Sequence, residues 1–556
     1  SLVFNQNSDG SFGGSISGSG SLTKQGSGNL LITGSNPFDG TVNVQSGMLQ
    51  VGDMAHPSAM LAGNVVVSGG AMFGGTGTIG SLDLSGTVMP TSTSDPLDVM
   101  GNVTFRRNSL FQVVATPQGQ SSQIAAEGTV TIEGGSSVVV VNAGDYKPLT
   151  EYAILTGAQG VTGRFDGVQS NLTFLTPTLD YTTNEVRLSL QRSAVNFVDV
   201  ATTPNEHNTA TGVDGLTFDS PVYSALVLLT PDQARHALDQ LSGEVHAGTQ
   251  TGLFDSGRQL RSVVNQHLLG IDYGGQTAQG ETPNGVTVWT TGWGHWSDHD
   301  SDGNAAELQS NGSGIVIGAD LPLDQSRIGV LVGRGQDSTR VDDLGSTTQA
   351  HSTYAGIYGN TEWGAFRLRG GVTYAWQDIR GHRSISFPGF YGSANSDYDA
   401  HTAQAYMEGG YAIPFGQFTT LEPYVNLARI QVHTDAFNEQ GSSADLAFRA
   451  STANQTVGTL GLRGSVALGG YGIRGYAGVG WQHAWGDTQA TRTERFVDGG
   501  PSFGIRGAAV AENAGIAELG LRAPLGRNTT LDAGYFGQFA GHAKDQSARL
   551  TLTVSF

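Results

Sequence analysis

Two short stretches of this sequence have the residue types and spacing that chemistry uses. Gly75-Thr76-Gly77-Thr78-Ile79-Gly80 is a formal GxGxxG. A dinucleotide site of that pattern needs a strand before it and a helix after it, so that the helix N-terminus can meet the pyrophosphate. SLDLSG follows instead, which reads as a strand. The motif is therefore a turn, and no cofactor site is assigned. Asp298-His299-Asp300-Ser301-Asp302-Gly303 has the carboxylate spacing of the first half of an EF-hand loop. The bidentate glutamate is due at position 309, which is Gln309, and Glu307 is out of place. An acidic, solvated loop is the reading, and no metal site is assigned. No GxSxG elbow occurs, and the 13 histidines are scattered, so no catalytic residue is assigned.

A third set is more informative because of its parity. Arg367 and Arg369 alternate with Phe366 and Leu368, and Arg463 faces away from Leu460 and Leu462. Arg474 opposes Ile473, Val479 and Trp481; Glu518 and Arg522 oppose Leu519 and Leu521; Glu408 and Met407 point apart. Period-two alternation puts charge on one face of a strand and apolar side chains on the other. The charges are Arg and Glu, with Lys nearly absent from the chain, which suits paired and enclosed positions. These seven residues are expected to line a lumen, where they either guide and hold a segment inside it or fill and rigidify it.

The elements that would position them follow the same periodicity. From about residue 286, twelve strand-like runs alternate between long polar links and short ones such as LPLDQS, NTEWG and PLGRN. An even strand count with short turns at one end and long loops at the other is the outer-membrane barrel pattern. The chain stops on SARLTLTVSF, ten residues of strict alternation, and about 9–11 residues suffice for a tilted strand to cross a bilayer. That strand is expected to close the barrel against the first, with its end facing the periplasm. Just upstream, residues 222–270 carry the only helix signal. Thr230-Pro231-Asp232-Gln233 reads as a capping box with proline at the first helical position. A second helix is expected over 250–269, with Arg258, Arg261 and Asn265 on it. A twelve-stranded lumen has room for one helix of about 10–12 Å diameter, so this helix is expected in the pore.

Residues 1–105 are glycine-punctuated β runs recurring at roughly 16–19-residue intervals, a parallel β-solenoid pattern. Residues 106–192 have longer strands and read as a β-sandwich-like cap, and 202–215 as a polar linker within a linker and pore-helix region, 193–285. The expected fold is thus all-β: a parallel β-helix, a cap, a short α-helical linker and a twelve-stranded antiparallel transmembrane β-barrel over 286–556.

Composition agrees. The chain has 556 residues, 82 Gly, no Cys, 14% charged residues and a formal charge of −20. That charge argues against nucleic acid and against a polybasic lipid-binding surface. The missing cysteines exclude a disulfide scaffold and would suit a chain threaded through a membrane unfolded. Ser1 opens directly into SLVFNQNSDGS with no signal-peptide pattern, which reads as a C-terminal fragment or a processed chain.

GSGSLTKQGSGNLLITGSNPFDGTVNVQSGMLQVGD resembles the passenger-end repeat of autotransporters, and VSGGAMFGGTGTIGSLDLSG the rungs that follow it. Residues 106–192 are similar to their autochaperone region. ALDQLSGEVHAG, SGIVIGADLPL and the terminal LTLTVSF resemble parts of an AIDA- or pertactin-type translocator barrel. The resemblance implies type V secretion. Its expected parts are a right-handed passenger β-helix, a monomeric barrel in outer-membrane lipid, and a passenger exposed at the cell surface. The expected partners are the barrel-assembly machinery, periplasmic chaperones and the chain's own passenger, with no nucleic acid and no cofactor. Leu550, Leu552, Val554 and Phe556 would form the barrel-assembly signal. Some relatives cleave themselves at a pore asparagine, but these usually carry two successive Asn, and here Gln266 follows Asn265. Alternatives of other classes are a displayed adhesin and the C-terminal part of a secreted enzyme.

Overall fold

The computed structural model describes residues 1–116, 119–141, 150–170, 172–274, 285–469 and 472–556. Residues 275–284 of the expected linker and 470–471 of the expected barrel lie outside these. The chain forms two compact units, residues 1–200 with 217–234, and residues 201–216 with 235–556.

The first unit is a parallel β-solenoid. Leu22, Val42, Val65, Leu82, Val103, Val130 and Val161 are successive register partners in one sheet. Leu30, Leu49, Phe73, Val88, Phe111, Val138 and Val168 form the matching column of a second. Each branched or aromatic residue covers the next, which removes apolar area from water rung by rung. The repeat is irregular rather than a steady 16–19 residues: Val65 and Leu82 are partners 17 positions apart, Leu22 and Val42 are 20 apart, and beyond residue 105 Val130 and Val161 are 31 apart. The apolar runs had mixed strands of both sheets. Gly75 shows why the GxGxxG is a corner. Its φ is +124°, and a Cβ there would lie 2.0 Å from the carbonyl oxygen of Val51 on the rung below.

Parallel rungs continue beyond residue 105, to Gly167–Ser170. The sandwich expected over 106–192 is instead a sheet extension. Glu151–Gly157 pairs in parallel with Ile124–Ala126 and antiparallel with Glu185–Arg192, which pairs antiparallel with Leu175–Tyr181. This turn to antiparallel pairing ends the stack.

In the second unit twelve antiparallel strands close on themselves. In chain order they are Thr287–His299, Leu308–Leu323, Ser326–Val341, Ser346–Trp363, Phe366–Phe387, Phe390–Tyr411, Thr419–Thr434, Ser451–Leu468, Ile473–Gly486, Asn513–Pro524, Thr529–Phe539 and Ala543–Ser555. The last pairs with the first along its whole length, Thr287 opposite Ser555 and His299 opposite Ala543. The outer face carries an apolar band. On the fifth strand it runs through Phe366, Val372, Tyr374 and Trp376, all exposed. Beyond Trp376 the outward residues become Asp378, Arg380 and His382. The strand therefore outruns the band by about ten residues, at about 3.3 Å each.

That extension corrects one expectation. The long polar link expected between the fifth and sixth runs, IRGHRSISFPGFYGSANSDYD, is not a loop but the tops of those two strands, joined at Pro388-Gly389. The other long links between strands seven and eight, and nine and ten, form a small sheet at the same end from Phe437–Asn438, Leu446–Phe448, Gln489–Phe496 and Gly499–Ala509.

Among the described residues four α-helices precede the barrel strands: α1 (Pro204–Asp214), α2 (Pro221–Leu226), α3 (Pro231–Leu241) and α4 (Glu244–Gly274). The polar linker expected over 202–215 is α1. Thr203 accepts from the Glu206 amide while the Glu206 carboxylate returns to the Thr203 amide, a complete capping box with Pro204 at the first position. The Thr230–Gln233 box caps α3 in the same way. Helix α4 is longer than the 250–269 expected: 31 residues, about 46 Å at 1.5 Å per residue.

Candidate functional site: the helix-filled lumen

Inward parity gives the strands a polar inner face, and α4 lies against it. Three layers of buried contact hold the helix.

At the loop end, Nε2 of His246 is 2.9 Å from Oε1 of Glu439 and Nδ1 is 3.1 Å from the Tyr398 hydroxyl. Arg383 donates to both Glu439 oxygens, at 2.8 and 2.7 Å, and the Leu446 amide donates to the second at 2.9 Å. Burial alone would raise the Glu439 carboxyl; the Arg383 charge and the His246 and Arg383 hydrogen bonds outweigh it and hold the group at about 2. Glu494, on the same small sheet, goes the other way. It is buried, and neither carboxylate oxygen has a hydrogen-bond partner among the described residues, so burial raises it well above the usual carboxylate range.

In the middle layer, Asp255 accepts from Arg258 at 2.6 Å and from Ser297 at 3.2 Å, and lies 2.9 Å from His299 Nε2. Arg258 and Gln259 both donate to Asp545 on the closing strand. Ser256 donates to Asp337 at 3.1 Å, and His295 lies 2.8 Å from its other oxygen. Arg261 donates to Gln404 at 2.5 Å.

At the short-turn end, His267 is 2.8 Å from Asp320 and stacks on Trp289 at 4.3 Å. Arg327 and Tyr358 donate to the same carboxylate. Each layer joins a helix side chain to the wall by a charge-assisted contact, the stronger kind of hydrogen bond.

The wall residues expected from the sequence divide into groups. Arg369, Glu408 and Arg463 form one buried network with Glu422: Arg369 lies 2.7 Å from Glu422 and 3.2 Å from Glu408, and Arg463 lies 2.8 Å from Glu408 and over the Tyr424 ring at 3.7 Å. Arg367 sits 3.6 Å from Glu422 and 3.8 Å from Glu362. Glu518 is bonded by Gln266 of the helix. Arg474 and Arg522 are register partners at the short-turn end, and Arg522 pairs with Asp532 at 3.2 Å. Asn265 lines a cavity with Glu408, Glu518 and Arg463, and its buried amide oxygen has no hydrogen-bond partner among the described residues. Leu550, Leu552 and Phe556 are exposed on the outer face.

Sequence reasoning missed the acids that receive the helix, Asp320, Asp337, Asp545 and Glu439, and Asp255 on the helix itself. It also passed over His246, His267, His295 and His299 as scattered. Parity held the signal for two, since His295 and His299 alternate in step with Trp289 and Trp293. Of the acidic loop, Asp302 is spent on local structure, accepting from the Asn304 and Ala305 amides and from Gln489.

A closed, apolar-banded barrel whose lumen holds one helix by buried ion pairs defines the class: a transmembrane translocator barrel of the outer membrane. Residues 288–535, most of the barrel, match the autotransporter beta-domain family. The chain is similar to two extracellular serine proteases of Serratia marcescens, 28% and 27% identical over 98% of this chain and 57% of each relative. It thus spans little more than half the length of these curated relatives. Among solved structures it is similar to the translocator domain of the autotransporter NalP from Neisseria meningitidis, at 18% identity and TM-score 0.46, covering 56% of this chain and 99% of that one. It is also similar to the transport unit of the autotransporter AIDA-I from Escherichia coli, at 16% identity and TM-score 0.37, covering 53% and 98%.

Proposed function

We propose that this chain carries its solenoid, residues 1–192, across the outer membrane as the end of a passenger and anchors it at the cell surface. The observation that carries this reading is α4 held inside the closed barrel, with the solenoid covalently upstream of it. Both ends of the barrel strand set, Thr287 and Ser555, lie together at the short-turn end, which in this reading is periplasmic, and the sheet of long connections faces outward. Arg367, Arg369, Glu408, Arg463, Arg474, Glu518 and Arg522 line the lumen around the helix carrying Arg258, Arg261 and Asn265; Glu518 takes Gln266 of that helix, and the others fill and stiffen the wall. The outward Leu550, Leu552, Val554 and Phe556 present the last strand to the barrel-assembly machinery, after periplasmic chaperones have escorted the chain. Depleting that machinery should abolish the heat-modifiable barrel band, and Phe556→Ala should slow its appearance. A folded band that persists at normal levels in depleted cells would sink the assembly route.

The passenger of the full protein is proposed to be a serine protease, because the curated relatives are extracellular serine proteases. The coding sequence around this segment tests it: a serine-protease catalytic set supports the reading, and further solenoid rungs alone favour an adhesin.

A further inference from the structure

The chain crosses between its two units three times, because residues 201–216 belong to the barrel unit and 217–234 return to the solenoid unit. Helix α1 is therefore the one segment upstream of residue 235 that the barrel unit holds. Its seat is specific. The Asn205 side chain takes both backbone groups of Arg506, donating to the carbonyl at 2.8 Å and accepting from the amide at 3.0 Å, as a neighbouring strand would. Asn208 donates to the Gly504 carbonyl at 2.7 Å. The Asn205 amide donates to Asn304 at 2.7 Å, and its side chain also donates to Glu244, the first residue of α4, at 3.1 Å. The fit is close: a Cβ on Gly212 would lie 2.5 Å from the Phe503 ring. Thr209, Ala210 and Val213 are buried.

We propose that this seat, on the strand Gly499–Ala509, is a docking site for the chain's own α1, and that it keeps the solenoid unit on the barrel when the backbone is broken between α2 and α4. The occupant is fixed by the chemistry: a helix with Asn at two positions three apart and a glycine one turn later. Covalent continuity through the lumen would then not be required for surface retention, and release would need a cut upstream of Thr203. The grip is independent of the export reading above, because it can be measured on purified protein.

The test inserts a site-specific protease sequence at Thr230, before α3, in the full chain purified in detergent. After cleavage, the piece ending near Leu229 retains α1 and loses α3 and α4. It should co-elute with the barrel on size exclusion, while Asn205→Ala/Asn208→Ala should dissociate at least tenfold faster. Gly212→Leu, which clashes with Phe503, should do the same, and Thr211→Ala, on the exposed side, should not. All variants should show the same heat-modifiable barrel before cleavage. Immediate separation of the unaltered protein, or equal retention of the double variant, would overturn the proposal.

Discussion

His246 Nε2 on the pore helix and Glu439 Oε1 in the sheet of long connections are 2.9 Å apart, both fully enclosed. This contact joins the upper end of α4 to the structure that covers the barrel mouth, and Arg383 of the fifth strand completes it. Removing one member of a buried charged set leaves the rest unpaired, which costs about 3–5 kcal/mol. Glu439→Ala should therefore lower barrel stability by about that amount, read as an earlier loss of the compact band on heating in detergent. His246→Ala, which leaves Arg383 paired with Glu439, should cost less. Equal, negligible effects would show that the layer does not secure the mouth.

The same sheet should respond to pH in two opposed ways. Glu439 has a depressed folded value of about 2. Its contribution is present above the ordinary carboxylate value, about 4.3, and is lost as pH falls toward 2. Glu494 is raised, so its contribution is full below about 4.3 and is lost as pH rises through its folded value. Glu494→Gln should remove the alkaline loss and match or exceed the stability of the unaltered chain at pH 8. Thermal unfolding across pH 3–9 measures both, and an unchanged alkaline limb in Glu494→Gln would contradict the assignment.

Arg258 bridges Asp255 on the helix and Asp545 on the closing strand. Arg258→Met keeps much of the side-chain volume and leaves both acids without it. The helix should then spend more time displaced, and single barrels in planar bilayers should show more frequent or larger conducting openings. Asp255→Asn/Arg258→Met should be less than additive, since the two act through one contact. Conductance identical to the unaltered protein would show that α4 is held elsewhere.

The apolar band predicts a depth-dependent penalty on a single strand. Val372 is 59% exposed on the outer face of the fifth strand, within the band. Val372→Arg should cost about 2–4 kcal/mol. His382→Arg, on the same face beyond Trp376, should cost close to nothing. Refolding titrations into lipid vesicles would separate them, and similar costs at both sites would place the membrane boundary wrongly.

Much of this architecture is legible in the sequence because a barrel strand in lipid has a strict code. Outward Leu460, Leu462 and Val479 meet acyl chains, while inward Arg463 meets Glu408 and inward Glu518 meets Gln266 of the helix, so parity reveals the wall. Above the band the code lapses. Asp378, Arg380 and His382 face water, the strand looks like a polar loop, and the extended fifth and sixth strands went unread. Helix α1 was missed for a different reason. PNEHNTATGVD has no apolar stripe, and its stability comes from a capping box and from Asn205, Asn208 and Gly212 meeting a strand some 300 residues away in sequence. The acids that hold α4 share that cause, since nothing local says that Asp545 faces Arg258.

The central claim is export of the solenoid through or alongside this barrel, with α4 left in the lumen. Its most direct test is added protease on intact cells expressing the chain, with one epitope near residue 10 and another at Gly441, between the small-sheet strands Phe437–Asn438 and Leu446–Phe448. Both epitopes should be cut without lysis, while the barrel remains heat-modifiable. Protection of the residue-10 epitope until the cells are lysed would contradict that claim, because the solenoid would then never have crossed.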